Sequence, residues 1–226
     1  MWRNWSELPE WMQIPEVREY YEILSKRKKS LIVKRVFDLV ISFILLIIAA
    51  APMIVIAAAI AIDSPGGIFY RQERVTAYGK RFMIHKFRTM VVNADTIGTQ
   101  VTARNDSRVT KIGKFLRKYR LDELPQLIDI LIGDMSFVGT RPEVVKYVKA
   151  YTKEMRATLL LPAGVTSEAS IRYKDEADLL SGAEDVDRIY IEKVLPGKME
   201  YNLESIRRFG LFRELKTMIR TVIAVA

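Results

Sequence analysis

The sequence predicts an α+β, mostly helical protein: a re-entrant membrane helix-break-helix followed by a globular domain at the membrane surface, with a small β-hairpin and interfacial amphipathic helices. Three observations predict it. Leu39 to Ile62 is an unbroken apolar run of 24 residues with Pro52 inside it, lysines and arginines crowd both ends of that run, and the rest of the chain alternates short strand-like and helical apolar periods without an internal repeat. The expected organisation is a partly helical N-terminal extension over residues 1–30, the membrane hairpin over 31–62, and a cytoplasmic domain with interfacial helices over 63–226.

In the extension, Val17, Tyr20, Tyr21 and Leu24 fall at helical spacing within residues 15–30, and the helix runs into the basic cluster Lys26 to Lys29, suited to lipid headgroups. All three tryptophans, Trp2, Trp5 and Trp11, precede it. Two readings of them stand together: anchors in the membrane interface, or packing onto the domain.

As a straight helix the apolar run measures about 36 Å, enough to cross a hydrocarbon core of ~30 Å. Its flanks argue against crossing. Lys26 to Lys29, Lys34 and Arg35 lie before it and Arg71, Arg74, Lys80 and Arg81 after it, so the positive-inside bias places both ends in the cytoplasm. A hairpin satisfies both constraints. Pro52 lacks an N–H and clashes with the preceding turn, so a bend is predicted near Ala51, with two limbs of about 12 residues that reach about 18 Å and return. Carbonyls near Ile48 and Ala49 then need partners, and Ser42 is the only side-chain donor in the run. A single kinked spanning helix fits these residues nearly as well. A secretory signal is disfavoured, because about thirty charged and tryptophan-bearing residues precede the run and the run is too long.

Beyond the loop Asp63 to Gly67, the stretches 68–74 and 81–89 read as two strands of a basic hairpin joined across Ala77 to Lys80. Residues 102–110 are polar and loop-like, and then Ile112, Phe115, Leu116 and Tyr119 mark a short amphipathic helix among Lys111, Lys114, Arg117 and Lys118. A further helix is predicted from Asp122, with Leu121, Leu124, Leu127, Ile128 and Leu131 on one face, Pro125 in its first turn and Gly133 at its stop. Near the C-terminus Leu211, Phe212, Leu215, Met218, Ile219, Val222 and Ile223 form one apolar stripe, which a membrane interface or a protein core would each explain.

Composition narrows the chemistry. There is no cysteine, which excludes disulfides, thiolate metal sites and cysteine nucleophiles and suits a reducing compartment. The one histidine, His85, lies in an alternating stretch where a structural role outranks a catalytic one. A formal net charge of +9 points to an anionic partner, lipid or phosphate in the presence of a membrane segment. The basic hairpin lacks the interleaved aromatics of single-strand binders, so nucleic acid is not an expected partner.

The chemistry is expected near Asp122 and Glu123, two adjacent carboxylates preceded by Arg117, Lys118 and Arg120. Taken alone, Asp122 reads first as a helix cap. A helix from Asp122 to Gly133 is about 16 Å long, and the eight residues from there to Arg141 reach about 27 Å extended, so Arg141 can fold back beside the carboxylates. An arginine returned to such a place suits a phosphate.

These residues carry a resemblance. Leu121-Asp122-Glu123-Leu124-Pro125-Gln126, then Gly133-Asp134-Met135-Ser136 and Val138-Gly139-Thr140-Arg141-Pro142, resemble the core of the bacterial sugar transferases, the monotopic phosphoglycosyl transferases. Lys34-Arg35-Val36-Phe37-Asp38, residues 69–74, Lys86-Phe87-Arg88-Thr89-Met90 and Asn105 to Thr110 match further motifs in the same order, and the likeness runs from about Lys34 to the C-terminus.

The resemblance implies transfer of a sugar 1-phosphate from a nucleotide sugar, usually a UDP-sugar, to a membrane polyprenyl phosphate, with release of UMP, at the cytoplasmic face of the bacterial inner membrane. It implies a ping-pong route through an aspartyl-phosphosugar, with Asp122 as nucleophile, Glu123 as its partner, and Mg²⁺ on Asp122 and Glu123. By the same resemblance Arg117 and Arg141 hold donor phosphates, Lys86 and Arg88 bind substrate or an interface, and Asp187 matches a C-terminal acidic position, beside the plainer reading of a solvated charge near Glu184 and Asp185. The chain departs from the family in having Ala51 where many members have serine before Pro52, Thr140 where a proline is common, and residues 163–170 in a less common form that bears on the sugar accepted. The alternative is a non-catalytic protein that binds anionic lipid through its basic surface.

Overall fold

The computed structural model describes residues 2–94, 106–179 and 185–225. Of the loop expected over 102–110, only the part from Asp106 is described; residues 102–105, with Asn105 of the quoted motif, and Glu184 lie outside the described residues. The architecture is mostly helical with two small two-stranded sheets.

The extension folds onto the domain. Helix α1 (Pro15–Ser25) starts with a proline at its first turn and buries Val17, Tyr20, Tyr21 and Leu24, the face expected from their spacing. These join Leu8 and Met12 in one core with Tyr147, Tyr151, Leu160, Tyr190 and Leu203, residues more than a hundred positions away. Trp2 stacks on Tyr21 at 5.0 Å and Trp5 meets the same ring edge-on at 5.1 Å, so of the two readings of the tryptophans the packing one holds for this pair. Trp11 lies over Gly79, where an added Cβ would meet its ring at 2.6 Å.

Helix α2 (Lys28–Asp63) is a single helix of 36 residues with Pro52 inside it, where two limbs separated by a break were expected. Proline's fixed φ is itself helical, and the domain supports the helix on either side of residue 52, through Phe37, Ile41, Leu46 and Ala49 and then Met53, Ile56, Ala57 and Ile60. Its other face, including Val36, Phe43, Ile47, Ile54 and Val55, is bare. By length and composition it suffices to cross a membrane. Both of its ends are fastened to the same domain. Near the start Lys34 Nζ donates to Glu214 Oε2 at 2.6 Å, Asp38 accepts from Ser136 Oγ at 2.8 Å, and Arg35 donates to the Ile130 and Leu131 carbonyls; at the far end Asp63 accepts from the Ile112 N–H at 3.1 Å.

Strands β1 (Phe69–Val75) and β2 (Arg81–Phe87) form the expected antiparallel hairpin, in register from Phe69↔Phe87 to Val75↔Arg81. On β2 the alternation buries Phe82 and Ile84, and His85 has the structural role expected of it, its Nδ1 2.6 Å from Asp129 Oδ1 and its N–H donating to Asp129 Oδ2 at 2.9 Å. Helix α3 (Lys111–Lys118) is capped by Thr110, whose hydroxyl accepts from Gly113 N. The helix expected from Asp122 is divided: Leu121–Glu123 is a 3₁₀ turn, and helix α4 (Gln126–Ile132) follows with Pro125 at its cap position and Gly133, at φ +96°, ending it as expected.

The second sheet was not foreseen. Strand β3 (Met135–Val138) pairs in parallel with β4 (Ala163–Thr166), Met135 opposite Ala163, after a connection through the short helix α5 (Val145–Val148) and a 3₁₀ stretch, Met155–Leu160. Beyond them lie α6 (Glu168–Arg172) and α7 (Glu176–Leu179). A long helical segment begins as α8 (Val186–Ile189), passes through a π turn at Tyr190–Val194 and continues as α9 (Leu195–Arg207).

Helix α10 (Leu211–Val225) is turned inside out relative to a core helix. Four of its polar side chains face the protein, with Glu214 on Lys34, Thr217 and Arg220 on Glu168 and Thr221 on Thr166, while Phe212 is 89% exposed and Leu215, Ile219, Val222 and Ile223 are bare beside it. Of the stripe expected there, Met218 packs against the domain.

Candidate active site

Between the hairpin, the 3₁₀ turn and the π-bearing helix lies a cavity of about 690 Å³. Its floor is the Asp122–Glu123 pair, and local backbone geometry explains their placement. Arg120 adopts a left-handed conformation at φ +55°, uncommon for a residue with a side chain, and this turns the chain sharply out of α3 into the 3₁₀ turn. Both carboxylates are thereby buried at the cavity wall, each less than a tenth exposed.

The two acids have opposite surroundings. Glu123 Oε1 accepts from Lys86 Nζ at 2.7 Å and Arg141 Nη2 at 2.6 Å, with Arg120 Nη1 at 3.9 Å. Burial pushes its carboxyl up, but Arg141 and Lys86 outweigh burial and hold it well below the usual carboxylate range. Asp122 caps no helix, and its Oδ1 is buried without a hydrogen-bond partner. Burial dominates there and raises its pKa, Lys86 opposing and the charge of Glu123 adding to the rise. One carboxylate is thus a fixed anion that organises cations, and the other is an unengaged oxygen facing a site rich in positive charge.

The cations come from separate elements. Lys86 stands on β2, and burial pulls its pKa down against the pull of Glu123. Arg141 does fold back to the acids by way of β3, and Glu123 raises its pKa further. Arg117, at the end of α3, lines the cavity and donates from Nε to Thr89 Oγ1 at 2.8 Å, and burial lowers its pKa. Arg88 also borders the cavity, but its two terminal nitrogens bind the Pro65 and Ser64 carbonyls, so it fixes the loop that follows α2. Asp187 is not a wall residue: it accepts from Tyr147 Oη and Lys146 Nζ, both at 2.5 Å, and thereby holds Tyr147, which is in the wall. Pro52 and Ala51, the expected membrane bend, lie within α2 and outside this cavity.

For a magnesium ion the carboxylate chemistry fits at one atom. Among the described residues no group of three histidine, aspartate or glutamate side chains is gathered. Mg²⁺ bound chiefly by substrate phosphates needs only one or two carboxylates, and the unpartnered Asp122 Oδ1 would serve as one, whereas Glu123 Oε1 is already engaged by Lys86 and Arg141.

A second cavity of about 210 Å³ touches the first at Arg120, Glu123 and Arg141. Its wall is largely apolar, with Leu124, Leu127, Phe137 and Val165, and it extends to Thr221 and Ala224 of α10. Sequence reasoning missed Arg74, Arg108, Glu143, Tyr147, Tyr190 and Lys198 in the wall of the large cavity. Arg74 and Arg108 stood inside motifs of the resemblance; the others are gathered by tertiary structure and by the π turn, for which no local period exists.

A buried acidic pair ringed by lysine and arginine, in a protein with a long apolar helix and a bare apolar surface helix, defines a class: a site for phosphorylated substrates beside an apolar medium. The chain belongs to the bacterial sugar transferase family, whose pattern matches residues 29–226. It is 35% identical over 222 residues to the UDP-glucose:undecaprenyl-phosphate glucose-1-phosphate transferase of Escherichia coli (strain K12), a match covering 96% of this chain and 45% of that protein. It is 35% identical over 192 residues to the protein of the same description from Caulobacter vibrioides, covering 84% and 68% of the two chains. It is 32% identical over 193 residues to the UDP-N-acetylgalactosamine-undecaprenyl-phosphate N-acetylgalactosaminephosphotransferase of Aeromonas hydrophila, covering 84% and 43%. The chain thus spans about half the length of several curated relatives it matches.

Proposed function

We propose that the protein transfers a sugar 1-phosphate from a UDP-sugar to a membrane polyprenyl phosphate, through a covalent intermediate on Asp122. The observation that carries this reading is the buried, unpartnered Asp122 Oδ1 in a cavity whose other walls supply Lys86, Arg117 and Arg141. A carboxylate oxygen so placed is free to attack, and the cations lower the cost of bringing one anion to another. In the first step an Asp122 oxygen bonds to the sugar-bearing phosphorus, the bond to the bridging oxygen breaks, and UMP leaves with that electron pair. In the second step an oxygen of the polyprenyl phosphate attacks the same phosphorus and the carboxylate is released. No net proton transfer is needed. A magnesium ion on Asp122 Oδ1 and the donor phosphates would neutralise charge as it builds on them. Glu123 keeps Lys86 and Arg141 at the site, and Arg117 meets the departing phosphate.

The relatives' descriptions support a nucleotide-sugar donor and an undecaprenyl phosphate acceptor. The apolar second cavity, joined to the first at Glu123 and Arg141, supports an approach for a lipid phosphate separate from that of the donor. The packing of α2 on the domain along its length, from Lys34 to Asp63 and on both sides of Pro52, supports an anchor that stays with the domain on the cytoplasmic face rather than leaving it to cross the bilayer, and a bend at Pro52 in the membrane would make that anchor re-entrant. In that arrangement α10 lies in the interface with its bare stripe in lipid.

The test is UMP release across a panel of UDP-sugars with polyprenyl phosphate and Mg²⁺. Wild type is expected to turn over at least one donor, and Asp122→Asn to lose about 10³-fold or more in kcat while still binding vesicles. Donor alone is expected to leave a phosphosugar on Asp122, detectable by mass spectrometry. Full turnover by Asp122→Asn would overturn the mechanism, and a protein that only binds anionic lipid would be indifferent to this substitution.

A further inference from the structure

One polar cluster in the cavity wall takes no part in the two steps above. Tyr190 Oη donates to Glu143 Oε1 at 2.6 Å, and Lys198 Nζ donates to Tyr190 Oη at 2.9 Å and to Glu176 Oε2 at 2.8 Å, while standing 3.6 Å from Glu143 Oε1. Lys198, Glu143 and Tyr190 are each buried, and all three line the cavity that holds Asp122. A buried lysine between two carboxylates is costly to assemble and is seldom a neutral choice over an apolar core.

The backbone is shaped to make it. Tyr190 and Lys198 are eight residues apart, which in a regular α-helix puts them about 80° apart around the axis. The π turn over Tyr190–Val194 takes up an extra residue, so the pair behaves as if seven apart, within about 20° of one face. Gly197, next to Lys198, leaves room for Tyr173 to close over the helix: an added Cβ there would stand 2.1 Å from the Tyr173 hydroxyl. Arg74, in the same wall, keeps a buried Nε with no hydrogen-bond partner.

Charge separates the cavity into two lobes. Around Asp122 and Glu123 positive charge prevails, since Lys86, Arg117, Arg120 and Arg141 outnumber the two acids, while Arg108 is paired with Asp106, and this is the environment that a departing nucleoside monophosphate requires. Around Lys198 the formal charges of Lys198 and Arg74 match those of Glu143 and Glu176, and strong donors and acceptors are fixed side by side. An uncharged ring with hydroxyls on several carbons is the ligand that such a neutral, bifunctional wall selects.

We propose that this second lobe binds the sugar of the donor, and that Lys198, Glu143 and Tyr190 discriminate among uncharged hexoses and N-acetylhexosamines; the inference rests on the donor chemistry proposed above. Lys198 presents its remaining hydrogen to a sugar oxygen and Glu143 accepts from a sugar hydroxyl at its second oxygen, both held in place by Tyr190, whose one hydroxyl hydrogen goes to Glu143 Oε1, and a uronic acid is refused because it would set a third carboxylate beside Glu143 and Glu176. Epimers that differ at one hydroxyl leave one of these groups unpaired, which makes the lobe selective rather than merely adhesive.

The experiment measures kcat/KM for UDP-glucose, UDP-galactose, UDP-N-acetylglucosamine, UDP-N-acetylgalactosamine and UDP-glucuronate, together with inhibition by UMP, in wild type, Tyr190→Phe, Glu143→Gln and Lys198→Met. Expected are a loss of about ten- to hundredfold in kcat/KM for the preferred sugar, a flattened preference among epimers, and UMP inhibition within about twofold of wild type. Tyr190→Phe removes one hydroxyl and keeps the ring, so it decides the matter even where Lys198→Met fails to fold. An unchanged sugar preference overturns the proposal, and so does UMP inhibition weakened in parallel with kcat/KM, which would put the nucleotide in this lobe. Wild type that releases UMP from no donor would instead defeat the proposed function itself.

Discussion

At the scale of single residues, two neighbouring carboxylates acquire different characters from their partners alone. Glu123 is held ionised by Arg141 and Lys86, whereas burial raises Asp122. In the proposed mechanism the form of Asp122 that attacks phosphorus is the carboxylate, so activity is expected to fall as pH drops through its pKa in the folded protein, and a raised pKa places that fall at higher pH than an ordinary aspartate, about 3.9, would give. Glu123→Gln removes a like charge beside Asp122 and frees Lys86 and Arg141 to face it, and both changes favour the Asp122 carboxylate. The variant is therefore expected to be slower, because its cations are no longer held in place, with an acid limb displaced to lower pH. Single-turnover UMP release with donor alone, followed against pH, measures this, and a limb that stays in place or moves to higher pH would assign it to another group. For stability the signs differ: the depressed pKa of Glu123 contributes stability above the ordinary glutamate value of about 4.3 that is lost as pH falls through the depressed value, while Asp122 favours the fold on the acid side and opposes it above its raised pKa.

At the scale of elements, what was legible in the sequence was what carries its own period. The hairpin alternates, α1 buries the face its spacing names, and Gly133 ends α4 where a left-handed glycine is needed. Strands β3 and β4 carry no such signal, because each has only four residues and they pair in parallel across a long connection. Their pairing depends on a close approach of two glycines: an added Cβ at Gly164 would lie 2.1 Å from the Gly139 nitrogen, main chain that cannot swing aside as a side chain can. Gly164→Ala is thus expected to cost about 1–3 kcal/mol or more, seen as a lowered Tm, and to weaken donor binding because Arg141 comes just after β3, the strand that β4 pairs with. Gly67→Ala is the control, since its added Cβ meets only the Phe69 carbonyl at 3.8 Å. Within the site, the acids and Arg141 were readable from motif and reach, whereas Glu143, Tyr190 and Lys198 meet only through the fold and one π turn.

At the scale of the whole molecule, the bare apolar faces of α2 and α10 are the surface on which the proposed membrane anchor rests. Pro52 was expected to divide α2, yet the helix runs on through it because the domain holds Ala49 on one side and Met53 on the other. The charge argument concerned the ends of the helix rather than its middle, and those ends, through Lys34 and Asp63, do reach one domain. The absence of cysteine in the sequence makes the topology directly measurable. Single cysteines at Lys28 and Gly67, both exposed, are expected to react with a membrane-impermeant maleimide from the same side of sealed inverted vesicles, and neither from the other side. Modification from opposite faces would mean that α2 crosses the bilayer and that its contacts at one end are broken in the membrane. The bare stripe of α10 gives an independent measure, because Ile219 faces outward and makes no part of the core. Burying such a side chain in lipid contributes about 1.5–3 kcal/mol, and a carboxylate in its place adds a desolvation cost. Ile219→Asp is therefore expected to weaken vesicle binding by tenfold or more with little change in Tm, whereas a stripe that served only to fold the protein would lower Tm and leave vesicle binding alone.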